Sequence, residues 1–200
     1  MPLNNSIEDL DPELKMVYEE AKASMKRDFP AGPWPELNET ARSKAVQDAY
    51  YARGRKPYAT VRALYKAAGL YDIGVAEAAK PVTNAQFGQS AHNAAADEYS
   101  PALDVRFRLL VIDKPGAGQT PPTYKAGKEI TWEARWFTIF GGYMLAAASK
   151  LLAAGKITQK VVWGNDWNGN GKRDDSSYDP PHYELKNWRL GRKKKPKKQV

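Results

Sequence analysis

The chain has 200 residues, of which 42% are hydrophobic and 11% aromatic, a balance typical of a globular protein with room for a core. It contains no cysteine, which excludes disulfides, iron–sulfur clusters and thiol catalysis, so any metal site must use His, Asp or Glu. The formal net charge is +8, but six basic residues lie in the last ten, so residues 1–190 carry only about +2. We therefore predict a single domain over 1–190 and a basic flexible tail over 191–200.

Apolar periodicity and turn residues predict the elements of this domain. The first helix has a capping box at Ser6 and Asp9, and Asn38 is the predicted cap of the second. The predicted helices cover 6–28, 39–53, short pieces of 58–80, and 132–154. The predicted strands are 104–112, 157–163 and 182–185, and the predicted loops are 81–89 and 114–128.

The last of these helices, 132–154, is strongly apolar and ends at Gly155. Glu133, Arg135 and Lys150 interrupt it, and no run of 18 apolar residues occurs in the chain. We interpret it as a core helix and predict no transmembrane segment. The N-terminal sequence lacks the basic-then-apolar order of a secretory signal, so we expect the protein to be kept in the cytoplasm until something releases it.

The only two histidines of the chain, His92 and His182, each have a carboxylate nearby in the sequence. A hydrolytic zinc ion takes three imidazole or carboxylate ligands and leaves a position for water, and a neighbouring carboxylate can move the proton. This suggests His92, Asp104 and His182 as ligands and Asp179 as the catalytic base. On spacing alone, two ordinary surface or hydrogen-bonded histidines are the more frequent case.

The order of short motifs favours the zinc interpretation, because it resembles the peptidoglycan metallopeptidases. These are the D-alanyl-D-alanine carboxypeptidases and the phage L-alanyl-D-glutamate endopeptidases, and the resemblance spans roughly 37–185. The motifs are Arg42-Ser43 with Gln47, Tyr51-Ala52-Arg53-Gly54-Arg55, Thr83-Asn84-Ala85, Ser90-x-His92, Ala102-x-Asp104, Trp163-Gly164-Asn165-Asp166-Trp167 and Asp179-x-x-His182-Tyr183-Glu184.

The resemblance implies an α+β fold in which a small, mainly antiparallel sheet carries the zinc site and helices pack around it. It implies zinc ligation by His92, Asp104 and His182, with Asp179 as the acid–base carboxylate. It also implies three substrate-binding residues, namely Arg42, Gln47 and Ser90. Spacing alone favours a surface ion pair for Arg42.

One departure from the family concerns the distance between the first two ligands. The family usually has His-x-x-Gly-x-Ala-x-Asp, whereas His92 and Asp104 are twelve positions apart and the glycine is missing. An insertion of about five residues within 93–101 explains the difference. Asp97 is then an alternative ligand, but we favour Asp104 because Ala102-Leu103-Asp104-Val105 keeps the family context and leads into a strand.

A second metal is suggested by the polar stretch that starts at Asp166. Oxygen-bearing positions with glycine at the sixth place match the first part of a calcium loop, but Ser177 stands where a glutamate is expected. The alternative is a polar turn in which Asn-Gly pairs permit tight bends. The candidate calcium positions are Asp166, Asn168, Asn170, Lys172 and Asp174.

The function expected from the resemblance is zinc-dependent hydrolysis of stem-peptide amides in bacterial peptidoglycan. The missing signal favours a phage endolysin that cleaves L-alanyl-D-glutamate over a D-alanyl-D-alanine carboxypeptidase. Such an endolysin waits in the host cytoplasm until it is released to the periplasm or cell wall. We expect it to be a monomer. The basic tail could hold the enzyme on anionic wall or outer-membrane polymers, or simply aid solubility. A non-catalytic module that binds wall polymer or nucleic acid is the alternative from a different class.

Overall fold

The computed structural model describes residues 4–113, 123–172 and 177–196. Within these ranges the chain has five α-helices and a five-stranded sheet, which confirms the predicted α+β class with a small antiparallel sheet. The helices are α1 (Pro12–Asp28), α2 (Lys44–Ala52), α3 (Tyr58–Ala67), α4 (Val75–Ala78) and α5 (Ala134–Ala153). The strands are β1 (Trp34–Glu39), β2 (Ala102–Ile112), β3 (Tyr124–Thr131), β4 (Val161–Trp163) and β5 (His182–Leu185). The sheet order is β1-β2-β5-β4, with β3 paired to β2, and the β2–β3 and β4–β5 pairs are antiparallel.

The residue contacts group the chain into two compact units. Unit 1 comprises Met1–Asp11, Asn38–Leu103 and Trp188–Val200, and unit 2 comprises Pro12–Leu37 and Asp104–Asn187. The sequence analysis had predicted one domain over 1–190.

Unit 2 is built on aromatic packing between its helices and strands. Helix α1 packs along α5, and the Phe140 ring on α5 meets the rings of Tyr18 at 6.2 Å and Phe107 and Tyr183 at 6.0 Å, all edge-on. Edge-to-face contact is a preferred arrangement of aromatic rings. Helix α5 also approaches β4 closely, since a Cβ added to Gly141 would lie 2.6 Å from the Trp163 ring.

Helix α5 has the length and apolar composition to cross a membrane, the one such helix among the described residues. The core helix of a soluble protein passes the same test. Phe137, Phe140, Met144 and Leu151 are buried along its length.

Unit 1 has a core formed by α2, α3 and the segment that follows them. Its buried residues are Ala49, Ala52, Val61, Tyr65, Ile73 and Ala78. A smaller cluster joins Ala91, Ala102 and Trp188, so the residue before His92 packs against Trp188 within this unit.

Two strands, β1 and β3, lie where no strand was predicted. Residues 34–39 form β1, although the second helix was predicted to start at Glu39 behind Asn38; that helix starts at Lys44 and is capped by Ser43, whose side chain accepts from the Val46 amide. Residues 124–131 form β3, although 114–128 were predicted to be a loop. Both strands have polar sequences, and pairing with β2 decides their conformation.

Other helices and strands differ from their predicted bounds by a few residues. The predicted helix 6–28 begins only at Pro12, because Ser6 caps a separate 3-10 turn over Ile7–Asp9. The predicted strand 157–163 is limited to β4. β5 matches its prediction, and β2 starts two residues early.

Residues 192–195, from the predicted tail, are hydrogen-bonded to other segments of unit 1. An antiparallel bridge joins Lys194 to Glu98, and the Tyr99 amide donates to the Lys193 carbonyl at 3.0 Å. The remaining tail residues, 197–200, lie outside the described part of the chain.

Candidate metal centre

Two neighbouring strands place Asp104 next to His182. Asp104 lies near the start of β2 and His182 is the first residue of β5, and the Val105 amide donates to the Pro181 carbonyl at 3.0 Å. As a result, His182 Nδ1 lies 3.0 Å from an Asp104 carboxylate oxygen. A rigid sheet is a suitable support for metal ligands, because its backbone holds their side chains in a fixed geometry.

His92 lies in a tight turn outside any helix or strand. The Asn93 amide donates to the Ser90 carbonyl at 3.1 Å, and the His92 amide donates to Ser90 Oγ at 3.3 Å. The His92 side chain is 2% exposed, and its Nδ1 lies 2.7 Å from the Thr40 carbonyl oxygen. Ser90 therefore shapes the turn that carries His92.

The structure brings together the three residues predicted as ligands. His92, Asp104 and His182 each offer one ligand atom, and these atoms all lie within 4.8 Å of one another. Both histidines are buried, and the group could hold a metal ion. Asp97, the alternative to Asp104, is exposed, pairs with Lys194 at 3.0 Å, and is not a member of this group.

The second ring nitrogen of each histidine has an acceptor. A carbonyl oxygen can only accept, so the Thr40 contact requires a proton on His92 Nδ1 and leaves Nε2 with a lone pair. His182 Nε2 lies 3.1 Å from a Glu184 carboxylate oxygen, which would likewise leave Nδ1 for a metal. Carboxylate or carbonyl partners of this kind orient most metal-ligating histidines. Two imidazoles and a carboxylate with such partners fit a hydrolytic zinc ion.

The charge around His182 is strongly negative. Burial on its own lowers the pKa of His182. Hydrogen bonds to Asp104 and Glu184 outweigh burial, and the charges of Asp104 and Asp179 act in the same direction, so the pKa rises from 6.5 to about 10. In the metal-free protein His182 is therefore a cation at neutral pH, held between the carboxylates of Asp104 and Glu184.

Asp179 lies in the turn just before β5. Its amide donates to the Gly164 carbonyl at 2.8 Å, and its own carbonyl accepts from the His182 amide at 3.0 Å. The Gly164 amide in turn donates to the His182 carbonyl at 2.8 Å. Asp179 itself is an exposed residue, three positions before the buried His182, and its charge raises the pKa of His182.

Three contacts of the centre were not assigned by the sequence analysis. Glu184 is two residues after His182 on the same strand, and the period of two that puts both on one face could have predicted their contact. The Trp167 ring packs against the His182 ring at 5.3 Å. Thr40 acts through its backbone carbonyl, for which side-chain identity gives no signal.

Two of the predicted substrate-binding residues, Arg42 and Gln47, belong to a buried network in unit 1. The Arg42 guanidinium forms an ion pair with Glu39 and donates to Gln47 Oε1 at 3.0 Å. Gln47 Oε1 also accepts from Asn93 at 3.0 Å, next to His92. The Arg42 backbone amide donates to the His92 carbonyl at 2.7 Å, so this network supports the turn that holds His92.

The candidate calcium loop is described from Asp166 to Lys172. Both Asp166 carboxylate oxygens accept backbone amides, from Asn170 at 3.0 Å and from Gly171 at 2.9 Å. Gly171 has a φ of +77°, which favours glycine. This geometry is what the polar-turn interpretation requires, while Asp174 lies outside the described residues. Calcium binding stays a prediction.

No protein-family model matches this chain, and no curated protein matches it either.

Proposed function

We propose that the protein is a zinc-dependent peptidase that hydrolyses amide bonds in the peptide stem of bacterial peptidoglycan. The observation that carries this proposal is the group of His92, Asp104 and His182, with Asp179 in the turn before β5. We propose further that its α+β fold is that of the D-alanyl-D-alanine carboxypeptidase and L-alanyl-D-glutamate endopeptidase family, with L-alanyl-D-glutamate as the bond cleaved.

The chemistry divides between the metal and the side chains. A bound zinc ion would supply Lewis-acid polarisation of the carbonyl and activated water at neutral pH. The exposed Asp179 carboxylate accepts the proton from the attacking water and returns it to the leaving amine. Glu184 and the Thr40 carbonyl hold the two imidazoles in the orientation that ligation needs.

Arg42 has a more restricted role in this proposal than a free guanidinium would have. Its ion pair with Glu39 is buried, with 9% and 4% of the two side chains exposed. We propose that Arg42 binds a substrate carboxylate only by sharing its guanidinium with Glu39, and that Gln47 fixes its orientation. The phage lysis role and the calcium site remain further parts of the proposal.

The test is mass analysis of the fragments released from purified peptidoglycan, with zinc present and after chelation. New alanine carboxyl ends paired with free glutamate amino ends, lost on chelation, would support the endopeptidase. Release of terminal D-alanine alone would instead indicate D-alanyl-D-alanine carboxypeptidase activity. No fragments from any wall chemotype would contradict the proposed hydrolysis and favour the binding module.

A further inference from the structure

The basic segment 192–195 pairs with the segment 97–99 of the insertion that separates His92 from Asp104. The Tyr99 amide donates to the Lys193 carbonyl at 3.0 Å, and the Lys195 amide donates to the Asp97 carbonyl at 2.8 Å. An antiparallel bridge between Glu98 and Lys194 lies between these two bonds. The two segments therefore form a short two-stranded ladder within unit 1.

The lysines of this segment bind carboxylates of the same unit. Lys194 pairs with Asp97 and Glu98, each at 3.0 Å. Lys193 pairs with Asp11 at 3.1 Å, and Lys195 pairs with Asp9. The charges at 193–195 are thus paired with carboxylates of the same unit, which weakens the case for this part of the tail as a polyanion-binding element.

Arg192 contacts the turn that carries His92. Its Nη1 donates to the Ala91 carbonyl at 3.2 Å, and its Nη2 donates to the Ser90 carbonyl at 3.3 Å. The guanidinium also lies over the Trp188 ring, 5.0 Å from its centre. Trp188 is buried against Ala91, so the ring and the guanidinium both contact the stretch that carries His92.

The segment around His92 depends on such contacts because it has no regular secondary structure. Residues 79–101 contain no named helix or strand, so His92 itself is not carried by a regular element. Charged hydrogen bonds from a planar guanidinium to two successive carbonyls define both the position and the direction of a peptide segment.

We infer that Arg192 is a positioning residue for His92, and that segment 192–195 holds the inserted loop so that the first metal ligand stays in place. This inference rests on the metal centre of the proposed function. It gives the basic C-terminal segment a role inside the protein.

The experiment compares three variants of the full chain. Arg192→Ala removes both hydrogen bonds. Arg192→Lys keeps the positive charge but loses the planar guanidinium that donates to two carbonyl oxygens. Arg189→Ala is the matched control, because Arg189 lies over the same Trp188 ring, at 4.3 Å. Zinc affinity is measured by competition with a chelator, and hydrogen exchange is measured by mass spectrometry on peptides covering 88–101.

We expect Arg192→Ala to weaken zinc binding by about tenfold, the lower end of what loss of an outer contact to a metal ligand costs. Exchange should accelerate in 88–101 and stay unchanged in α5. Arg192→Lys should give an intermediate loss, and Arg189→Ala should behave as the wild type.

The inference is overturned if Arg192→Ala leaves exchange in 88–101 unchanged, or accelerates it equally throughout the chain. It is also overturned if zinc affinity is unchanged where the wild type binds zinc. Both measurements are independent of substrate, so a protein that binds zinc but cleaves no peptidoglycan would refute the proposed function alone. If the wild type binds no zinc, the exchange measurement still decides whether Arg192 holds this loop.

Discussion

Gly164 lies so close to Asp179 that a Cβ at position 164 would come within 2.2 Å of the Asp179 carbonyl oxygen. Backbone atoms cannot move aside as a flexible side chain can, so any other residue at 164 must displace the turn that carries Asp179. The closeness of these two residues links the strand β4 to the proposed catalytic base.

Gly164→Ala should therefore reduce hydrolysis about a hundredfold, because a displacement of about 1 Å in a reacting group can have an effect of this size. Zinc affinity should fall much less. The control is Gly142→Ala on α5, where nothing lies within 4 Å of the added Cβ. Equal activities of the two variants would contradict the positioning of Asp179 by Gly164.

Asp179→Asn should abolish hydrolysis and leave zinc binding intact, because the amide cannot accept a proton from water. Activity is measured as fragment release from peptidoglycan, and zinc binding by calorimetry. Asp72→Asn, in an exposed ion pair with Arg62, serves as the control for a lost surface carboxylate. Full activity of Asp179→Asn would show that Asp179 is not the acid–base carboxylate.

Glu184→Ala should weaken zinc binding by about 10- to 100-fold, since the partner that orients His182 Nε2 is lost. Glu184→Gln should lose less, because an amide oxygen can still accept the proton of Nε2. Glu129→Ala, on the exposed surface of β3, is the matched control and should bind zinc normally. A wild-type affinity for Glu184→Ala would show that His182 is oriented by other groups.

In the metal-free protein the pKa of His182 is raised to about 10, so its cation stabilises the folded state. This contribution is fully present below the unfolded pKa of about 6.5 and is lost as the pH rises through about 10. Nuclear magnetic resonance should show that the His182 imidazole stays protonated between pH 6 and 8. A midpoint near 6.5 for His182 would contradict the expectation.

Zinc binding at pH 7 should then release about one proton from His182, since a ligand imidazole must be neutral. Calorimetry in buffers of different ionisation enthalpy measures this proton directly. Zinc binding without proton release would contradict a charged His182 in the metal-free state.

Arg42→Ala should lower the free energy of unfolding by about 3 kcal/mol, because it leaves the Glu39 carboxylate buried without its cation. Adding Glu39→Gln to this variant should restore part of the stability. Arg62→Ala, which breaks the exposed pair with Asp72, should cost much less, because solvent screens that pair. Urea unfolding measures all three, and equal losses for the two arginines would contradict the buried pair.

The metal centre was predictable because its signals are local. Each proposed ligand lies in a short motif, and the Ala102-Leu103-Asp104-Val105 context favoured Asp104 over Asp97 without structural information. The structure places Asp104, and not Asp97, in the group with the two histidines. The surroundings of that group were less predictable, since Thr40 contributes only a backbone carbonyl.

Strands β1 and β3 show where sequence patterns fail. The polar sequence of 124–131 contains Gly127 and resembles a loop, yet it pairs with β2 from Tyr124 to Thr131. Strand conformation depends on the neighbouring strand more than on intrinsic propensity, and the partner lies many residues away in the chain.

Short motifs and the family resemblance that they carry predicted the α+β class and the group of His92, Asp104 and His182, and apolar periodicity predicted the helix α5 and the strand β5, because such patterns are properties of neighbouring residues. Only the packing of the folded chain shows that Glu39 neutralises Arg42 and that Arg192 binds the turn that carries His92. These are contacts of charge and hydrogen bonding, and the Arg192 contact joins residues 101 positions apart in the chain. Burial makes them obligatory, since a buried polar group must find a partner, but which partner it finds depends on how the elements pack.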